Sequence, residues 1–411
     1  MVTMDKIQWL FPELEENYQY LHQHPELGFE EQITSAFIAQ KLDEYGIPYR
    51  RVARTGIIAD IAGKYPGRTV AIRADMDALP IQEQCDLSYA SKCPGKMHAC
   101  GHDAHVAMLL SAARYFAGLC GQFRGKIRLL FQPAEEGASM ETLAAVAAEG
   151  GSAKGGAASM IACGALEGVD ACFALHVNSM YPTGTFYIPR DRFSASSDIF
   201  ELTIQGKGGH GSSPENAVDP MGALAAVIAA YNALPAREIS ALDSCSLSIG
   251  AVKSGEAWNV IPDSAYLTGG LRTFSNELRD KVFRRLKEIA EGICAAHRCT
   301  ATFLRHEGYA PGINTPELAE EMLAQARKVF GEGNAVLLEK PMMGSEDAGY
   351  YFQEVPGAMG WLGSMPDDGP VANHSPLFQI SLKSLRYGVL LHINMALDYL
   401  ERTEEVNDSS F

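Results

Sequence analysis

Short apolar runs that end beside metal-binding residue types constrain the fold of this chain more than any other feature. They are TVAIRA before Asp75 and Asp77, KIRLLFQ before Glu135 and Glu136, ACFALHV with His176, and AMGWLG before His374. Runs of this length, separated by helical segments, predict the strands of an α/β domain with a central sheet flanked by helices. In open α/β sheets, ligands bind beyond the carboxyl ends of the strands. The sequence therefore predicts a functional site at that edge.

Several segments between the predicted strands and at the two ends of the chain have helical periodicity. The predicted helices are 5–23, 29–46, 104–119, 316–330 and 382–401, and the predicted strands are 56–61, 69–74, 126–132, 171–177 and 358–363. Segment 138–165 is rich in Ala and Gly and predicts helix with a flexible break near 150–156. The acidic tail after Leu400 is expected to fray.

The pattern changes between about residues 191 and 305. The predicted elements here are, in order, a strand in FELTIQGKG, a helix at 220–234, strands in SCSLSIGAV and SAYLTGGLRTF, a helix at 276–297 and a strand in CTATFLRHE. This β-α-β-β-α-β order predicts a ferredoxin-like α+β module. We therefore expect an inserted domain at 191–305 between two parts of one catalytic domain, 1–190 and 306–411.

Composition excludes several classes of function. The 411 residues carry 34 Lys and Arg against 50 Asp and Glu, a net charge of −16, which disfavours nucleic acid or an anionic membrane as partner. The N-terminal segment lacks the pattern of a secretory signal, and no apolar run approaches the ~18 residues of a membrane span. Nine cysteines without framework spacing indicate reduced thiols in a cytoplasmic protein.

The loop Cys100-Gly101-His102 leads into a predicted helix. A thiolate and an imidazole two residues apart can chelate one metal ion or bridge two, and the helix N-terminus favours the thiolate. Two alternatives are a buried Cys beside a capping His-Asp pair, and a cysteine nucleophile with His102 as its base.

Pro133 and Gly137 bracket Glu135-Glu136 as a turn after a buried strand. One carboxylate can then bind metal while its neighbour transfers a proton. A solvated acidic loop is the alternative.

The remaining candidates have simple structural explanations when taken alone. His176 can be a core histidine, and His374 can stabilise a turn. Asp75 and Asp77 can orient a metal-bound histidine or merely end a strand. The convergence of these segments favours a polynuclear metal site.

The chain resembles the M20 metallopeptidase family, and within it the amidohydrolase branch of aminoacylases, hippurate hydrolases and auxin-conjugate hydrolases. The resemblance rests on nine motifs, spread over residues 22–376: HQHPELGFEE, RADMDALPI, MHACGHDAHVAML, FQPAEEG, LHV, GKGGHGSSP, NVIPD, MMGSEDAGYY and NHSP.

The resemblance implies a site for two divalent transition-metal ions, of which zinc suits the ligands best and nickel, cobalt and manganese are alternatives. The implied metal ligands are Cys100, His102, Glu136, His176 and His374. Glu135 is implied as general base and acid. The inserted module is implied to be a lid and dimerisation domain, so that the protein forms a homodimer.

Within that module the resemblance assigns three further residues. His210 would stabilise the oxyanion, and it can reach across a dimer. Asn259 and Arg272 would hold the substrate carboxylate.

These features predict hydrolysis of a linear amide, that of a small-molecule N-acyl-L-amino acid, through a metal-activated water with Glu135 as base. The alternatives are a small-peptide hydrolase of the same mechanism, a binding protein that has lost the chemistry, and a metal-free cysteine hydrolase. Three departures from the family pattern bear on the substrate: an extra Ala- and Gly-rich stretch at 138–157, Ala348 and Glu215.

Overall fold

A computed structural model of the protein describes residues 1–119 and 121–402, so the predicted fraying of the tail lies largely outside the described residues. The chain folds into two compact units. The first contains Met1–Phe193, Ile313–Lys340 and the described residues from Asp347 onward, and the second contains Ser194–Gly312 and Pro341–Glu346.

The strands in chain order are β1 (Tyr49–Val52), β2 (Gly56–Ala62), β3 (Tyr65–Asp75), β4 (Arg124–Gln132), β5 (Ala171–Asn178), β6 (Phe186–Pro189), β7 (Arg192–Ser194), β8 (Asp198–Gln205), β9 (Gly209–His210), β10 (Cys245–Ser254), β11 (Val260–Ile261), β12 (Ser264–Thr273), β13 (Thr300–His306), β14 (Gly312–Ile313), β15 (Ala335–Leu338) and β16 (Gly357–Gly363).

The helices are α1 (Met4–Ile7), α2 (Phe11–Gln23), α3 (Gln32–Tyr45), α4 (His102–Gly118), α5 (Met140–Ala148), α6 (Gly156–Ala162), α7 (Pro220–Glu238), α8 (Asn276–Ala296), α9 (Pro316–Phe330), α10 (Gly349–Glu354) and α11 (Leu382–Glu401). None of those described is long and apolar enough to span a lipid bilayer.

The first unit is a mixed α/β structure built on an eight-stranded sheet. Its strand order is β1-β2-β4-β3-β5-β16-β6-β15. The centre, where β3 pairs with β4 and β5, and β5 with β16, is parallel. Helices α4 and α11 cover it with almost wholly buried faces. Parallel strands of this kind are apolar throughout because both faces are covered, and β5 and β16 are buried at every residue.

The second unit has its own core. Strands β10-β12-β8-β13 form an antiparallel sheet. Helices α7 and α8 supply apolar side chains, among them Tyr231 and Leu286, to the same buried cluster as the sheet. Along the chain the major elements occur as β8, α7, β10, β12, α8 and β13, which is the order predicted from the sequence.

Candidate metal centre

Among the groups of side chains in the first unit that could hold a metal ion, two share Cys100. Cys100, His102 and His176 form one, and Cys100, Glu136 and His374 form the other. Within each group the ligand atoms lie within 4.8 Å of one another. All five residues proposed as ligands from the sequence thus converge, and the thiol of Cys100 belongs to both groups.

Cys100 and His102 are placed by the turn that begins α4. Gly101 caps the helix with φ of +94°, a conformation that glycine adopts without strain. A Cβ atom at this position would lie 2.3 Å from Cγ2 of Val177. Close approach of the turn to β5 therefore requires glycine, and it brings Cys100 next to His176.

The imidazole of His102 is oriented by Asp77. Its Nδ1 lies 3.0 Å from the carbonyl oxygen and 3.2 Å from Oδ1 of Asp77. Both partners are acceptors, so Nδ1 carries a hydrogen, and Nε2 is the nitrogen through which the ring can bind a metal ion in place of a proton. That Nε2 is buried and has no hydrogen-bond partner among the described residues.

His176 is oriented in the same manner. Its Nδ1 donates to the carbonyl oxygen of Val177 at 2.7 Å. Its Nε2 lies 3.4 Å from Sγ of Cys100. Both histidines therefore direct Nε2 at the cluster, and this is the nitrogen through which each ring can bind a metal ion.

Two buried acidic side chains hold the turn that carries the glutamates. The Asp77 carboxylate accepts the backbone N–H groups of Glu135 at 3.0 Å and of Glu136 at 2.9 Å. Ala134, with φ of +49°, donates its N–H to Glu31 at 2.9 Å. Burial and the charge of Asp77 raise the pKa of Glu31 to about 8.

His374 completes the cluster from a loop. Its N–H donates to the carbonyl oxygen of Ala99 at 2.8 Å, and its Nε2 lies 3.1 Å from Oε1 of Glu136. The neighbouring Asn373 amide is 3.5 Å from Sγ of Cys100. The His374 side chain is 52% exposed, so the cluster is accessible from this side.

A buried network of charges ties the strand ends together. Arg73 contacts Gln132 and Asp347, each at 2.8 Å, and Asp75 at 2.7 Å. Asp75 accepts from His105 at 2.5 Å, and Nε2 of His105 accepts the N–H of Val177 at 2.9 Å. The network joins β3, β4 and β5 where the candidate ligands emerge.

Neighbouring groups raise the pKa of two histidines of the cluster, whereas burial lowers the pKa of His176 well below its usual value. Burial opposes protonation of His102, yet the charges of Asp75 and Cys100 raise the pKa of His102 well above its usual value. Hydrogen bonds to Cys100 and Glu136 raise the pKa of His374 to about 10. Burial raises the pKa of Glu136, but His374 and His102 outweigh it and lower that pKa overall. The same anionic groups would stabilise metal cations.

The residues fit a pair of transition-metal ions on three grounds. The donor set combines a thiol sulfur, imidazole nitrogens and a carboxylate, which suits borderline-soft divalent ions. Nε2 of His102 lies buried without a hydrogen-bond partner in the described part of the chain. Asp77 provides the carboxylate that commonly orients a ligating histidine.

The other residues implied by the resemblance lie in the second unit. His210 is in β9, which pairs with β11, and the N–H of Gly211 donates to the carbonyl oxygen of Asn259 at 2.8 Å. His210 and Asn259 are thus neighbours in that unit. Arg272 is in β12 and donates to the Met343 carbonyl at 3.0 Å and to Oγ of Ser345 at 2.6 Å.

Sequence reasoning gave no role to Glu31, Gln132 or Asn373, although each occurs in one of the quoted motifs. Glu31 is the last residue of HQHPELGFEE, Gln132 directly precedes Pro133 in FQPAEEG, and Asn373 is the first residue of NHSP. For Gln132 and Asn373 the available signal was a polar residue in the same motif as a candidate ligand, whereas the motif that contains Glu31 supplies no candidate ligand. Their contacts join distant parts of the chain, so the sequence alone did not assign them.

Residues 71–398 match the model of peptidase family M20/M25/M40. An IAA-amino acid hydrolase of Arabidopsis thaliana is 38% identical over 93% of this chain and 84% of its own length. An N-acetylcysteine deacetylase of Bacillus subtilis is 36% identical over 93% of this chain and 95% of its own.

Among solved structures, a dinuclear metal-binding M20 peptidase of Bacillus subtilis superposes with a TM-score of 0.81. It is 32% identical, and the match covers 96% of this chain and 100% of that one. The family match, the long alignments and the shared fold lead to one assignment. The chain belongs to peptidase family M20/M25/M40, among hydrolases that act on amide bonds.

Proposed function

We propose that this protein is a dinuclear metal-dependent amidohydrolase that cleaves the amide bond of N-acyl-L-amino acids. The observation that carries the proposal is the pair of three-residue groups sharing Cys100, with Glu135 beside them. A metal-free cysteine hydrolase is the alternative that this site allows, because Nε2 of His176 lies 3.4 Å from Sγ of Cys100. Such an enzyme would keep its activity when metal is removed by a chelator, whereas the proposed enzyme would lose it.

The proposed ligands are Cys100, His102, Glu136, His176 and His374. Two divalent ions bound there would supply Lewis-acid polarisation of the substrate carbonyl and acidify a water molecule. Zinc fits the sulfur and nitrogen donors best, with nickel, cobalt and manganese as alternatives.

Glu135 is proposed as the group that moves the proton. It is 5% exposed, and its Oε2 lies 3.9 Å from Nε2 of His102. Its backbone is fixed by Asp77. In this position it can accept a proton from water as the carbonyl carbon is attacked, and then return it to the leaving amine nitrogen.

The second unit is proposed to be an inserted ferredoxin-like lid and dimerisation domain. Nδ1 of His210 accepts the N–H of Ser212 at 3.1 Å and contacts its Oγ at 2.7 Å. A neutral His210 then carries its hydrogen on Nε2, where it can donate to an oxyanion. Arg272 and Asn259 are proposed to bind the substrate α-carboxylate, which a guanidinium can hold with two hydrogen bonds.

A homodimer is proposed through the same unit. Strand β10 is at one edge of its sheet, and the unpaired side of an edge strand can hydrogen-bond to a second copy.

The names of two relatives support the substrate class. One is a hydrolase of IAA-amino acid conjugates and the other a deacetylase of N-acetylcysteine; both compounds are N-acylated amino acids. The similarity to an M20 peptidase supports a second candidate, hydrolysis of small peptides by the same residues.

The test is a substrate screen with defined metals. Chelated protein is loaded separately with zinc, nickel, cobalt or manganese, and each sample is assayed on N-acyl amino acids and dipeptides. We expect N-acyl amino acids to be the better substrates and chelated protein to be inactive. Dipeptide turnover alone would favour the second candidate, and full activity without metal would refute both.

A further inference from the structure

A pocket of about 330 Å³ lies beside Glu136 in the first unit, a size within the usual range for small-ligand sites. We infer that this pocket receives the acyl chain of the substrate and that Thr142 limits the length of chain it accepts. The inference rests on the proposed function, because it names the half of the N-acyl amino acid that enters the pocket.

Backbone contacts hold two walls of the pocket, at 27–30 and 78–80. Leu27 and Ala78 form a β-bridge, and the N–H of Ala78 donates to the Glu26 carbonyl at 2.7 Å. Leu79 exchanges two backbone hydrogen bonds with Met97, at 3.0 and 3.1 Å. These walls are therefore formed before a ligand binds.

The third wall, 136–142, contains the start of the Ala- and Gly-rich stretch that departs from the family pattern. It approaches the first wall closely, since a Cβ on Gly28 would lie 2.2 Å from the Gly137 carbonyl oxygen. Thr142 lines the pocket from the first turn of α5. The N–H of Thr142 donates to Oγ of Ser139, which caps the helix at 3.1 Å.

Apolar side chains on another face of helix α5 pack against the rest of the first unit. Val146 is buried in a small cluster with Phe29 and Ala134, and Leu143 packs against it. Ala134 directly precedes Glu135 in the turn that supplies the candidate ligand Glu136. The position of Thr142 is thus tied to the turn that carries the catalytic and metal-binding glutamates.

The charges of the pocket identify which half of the substrate fits. Glu30 and Glu136 line it, and none of its lining residues, all in the described part of the chain, is basic. Lys96 pairs with Glu30 at 3.2 Å but does not line the pocket. No side chain that lines the pocket could pair with an amino acid α-carboxylate, whereas Leu27, Leu79 and Pro80 offer apolar surface to a neutral acyl chain.

The experiment compares one amino acid acylated with acetyl, butyryl, hexanoyl and octanoyl groups. The metal-loaded wild type is assayed beside Thr142→Phe, which narrows the pocket, and Thr142→Ser, which keeps its polarity and its capping contact. Ala144→Phe is the matched control, because Ala144 is exposed on the same helix and does not line the pocket. Each buried methylene group contributes about a fourfold factor in binding.

We expect Thr142→Phe to lower kcat/KM for the hexanoyl and octanoyl substrates about tenfold or more while acetyl turnover stays within about twofold. Thr142→Ser and Ala144→Phe should keep the wild-type profile. A second series holds the acyl group constant and varies the amino acid side chain, and Thr142→Phe should leave that ranking unchanged.

Three results separate the possible failures. Equal loss at every acyl length, or the same profile change in Ala144→Phe, would overturn the acyl pocket and leave the proposed function intact. An altered ranking in the second series would assign the pocket to the amino acid side chain instead. Absence of turnover for all N-acyl amino acids by wild-type protein would refute the proposed function itself.

Discussion

The side chain of Asp77 lies 3.2 Å from Nδ1 of His102, and the Asp77 carbonyl oxygen lies 3.0 Å from the same nitrogen. The same carboxylate accepts the backbone N–H groups of Glu135 and Glu136. One buried aspartate therefore orients a candidate ligand from α4 and the turn that supplies both glutamates.

Removal of this carboxylate should weaken metal binding without removing a ligand. We expect Asp77→Ala to lower metal affinity about 10- to 100-fold, the usual effect of losing a carboxylate that orients a ligand. Competition with a chromophoric chelator measures the affinity. Asp86→Ala is the control, because Asp86 is exposed. Unchanged affinity in Asp77→Ala would remove Asp77 from the account.

The two adjacent glutamates should respond differently to the same change. Glu135→Gln should retain metal and lower kcat by at least about 100-fold, because it removes the proposed proton carrier. Glu136→Gln should lose metal, because it removes a ligand. Elemental analysis and steady-state kinetics of both variants test this, and a shared loss of metal with the same kinetic defect would contradict the division of roles.

Much of the fold follows from local patterns in the sequence. Helices α9 and α11 have the predicted bounds, Pro316–Phe330 and Leu382–Glu401, because their periodicity is strong. The predicted break near 150–156 is confirmed between α5 and α6. The short strands β6 and β15 were not predicted, since four residues carry too little periodicity.

The candidate ligands could be named because each lies in a recognisable motif near a strand end or helix start. The residues that orient these ligands could not be named from the sequence. The contact between Asp77 and Glu135 spans 58 residues, and that between Glu31 and Ala134 spans 103. Such contacts depend on strand order and register, which local patterns do not specify.

The buried His22 should make stability depend on pH. Its ring contacts Asp103 at 2.6 Å and Glu83 at 3.2 Å, beside Tyr18 and Tyr89. Burial opposes the charged form, but the two carboxylates raise the pKa of His22 to about 9, from 6.5 in the unfolded chain. The stabilisation is complete below pH 6.5 and is lost as pH rises toward 9.

Relative to His22→Gln, the wild type should lose about 3 kcal/mol of its free energy of unfolding between pH 6.5 and 9, at 1.36 kcal/mol per unit of pKa shift. Denaturant unfolding at several pH values measures this. Parallel pH profiles for the two proteins would show that His22 is not protonated in the folded state.

The residues of the second unit should affect different kinetic parameters. His210→Ala should lower kcat with little loss of metal, because the proposed hydrogen bond forms to the developing oxyanion. Arg272→Ala should mainly raise KM for substrates that carry an α-carboxylate. The control is a substrate whose α-carboxylate is converted to an amide. Its KM should be the same for Arg272→Ala and the wild type.

A mixture of two inactive chains tests whether His210 serves a partner's site. Glu135→Gln and His210→Ala chains are combined under conditions in which subunit exchange is verified. Hetero-dimers should regain activity at one site if His210 acts on the neighbouring chain. Absence of recovery would place His210 in the site of its own chain or outside catalysis.

The metal content of the purified protein tests the central claim most directly. Elemental analysis should find up to two transition-metal ions per chain, and a strong chelator should remove them together with activity. Cys100→Ser should bind less metal in the same assay, because Cys100 belongs to both ligand groups. Protein that contains no metal and keeps full activity in the presence of the chelator would contradict the account.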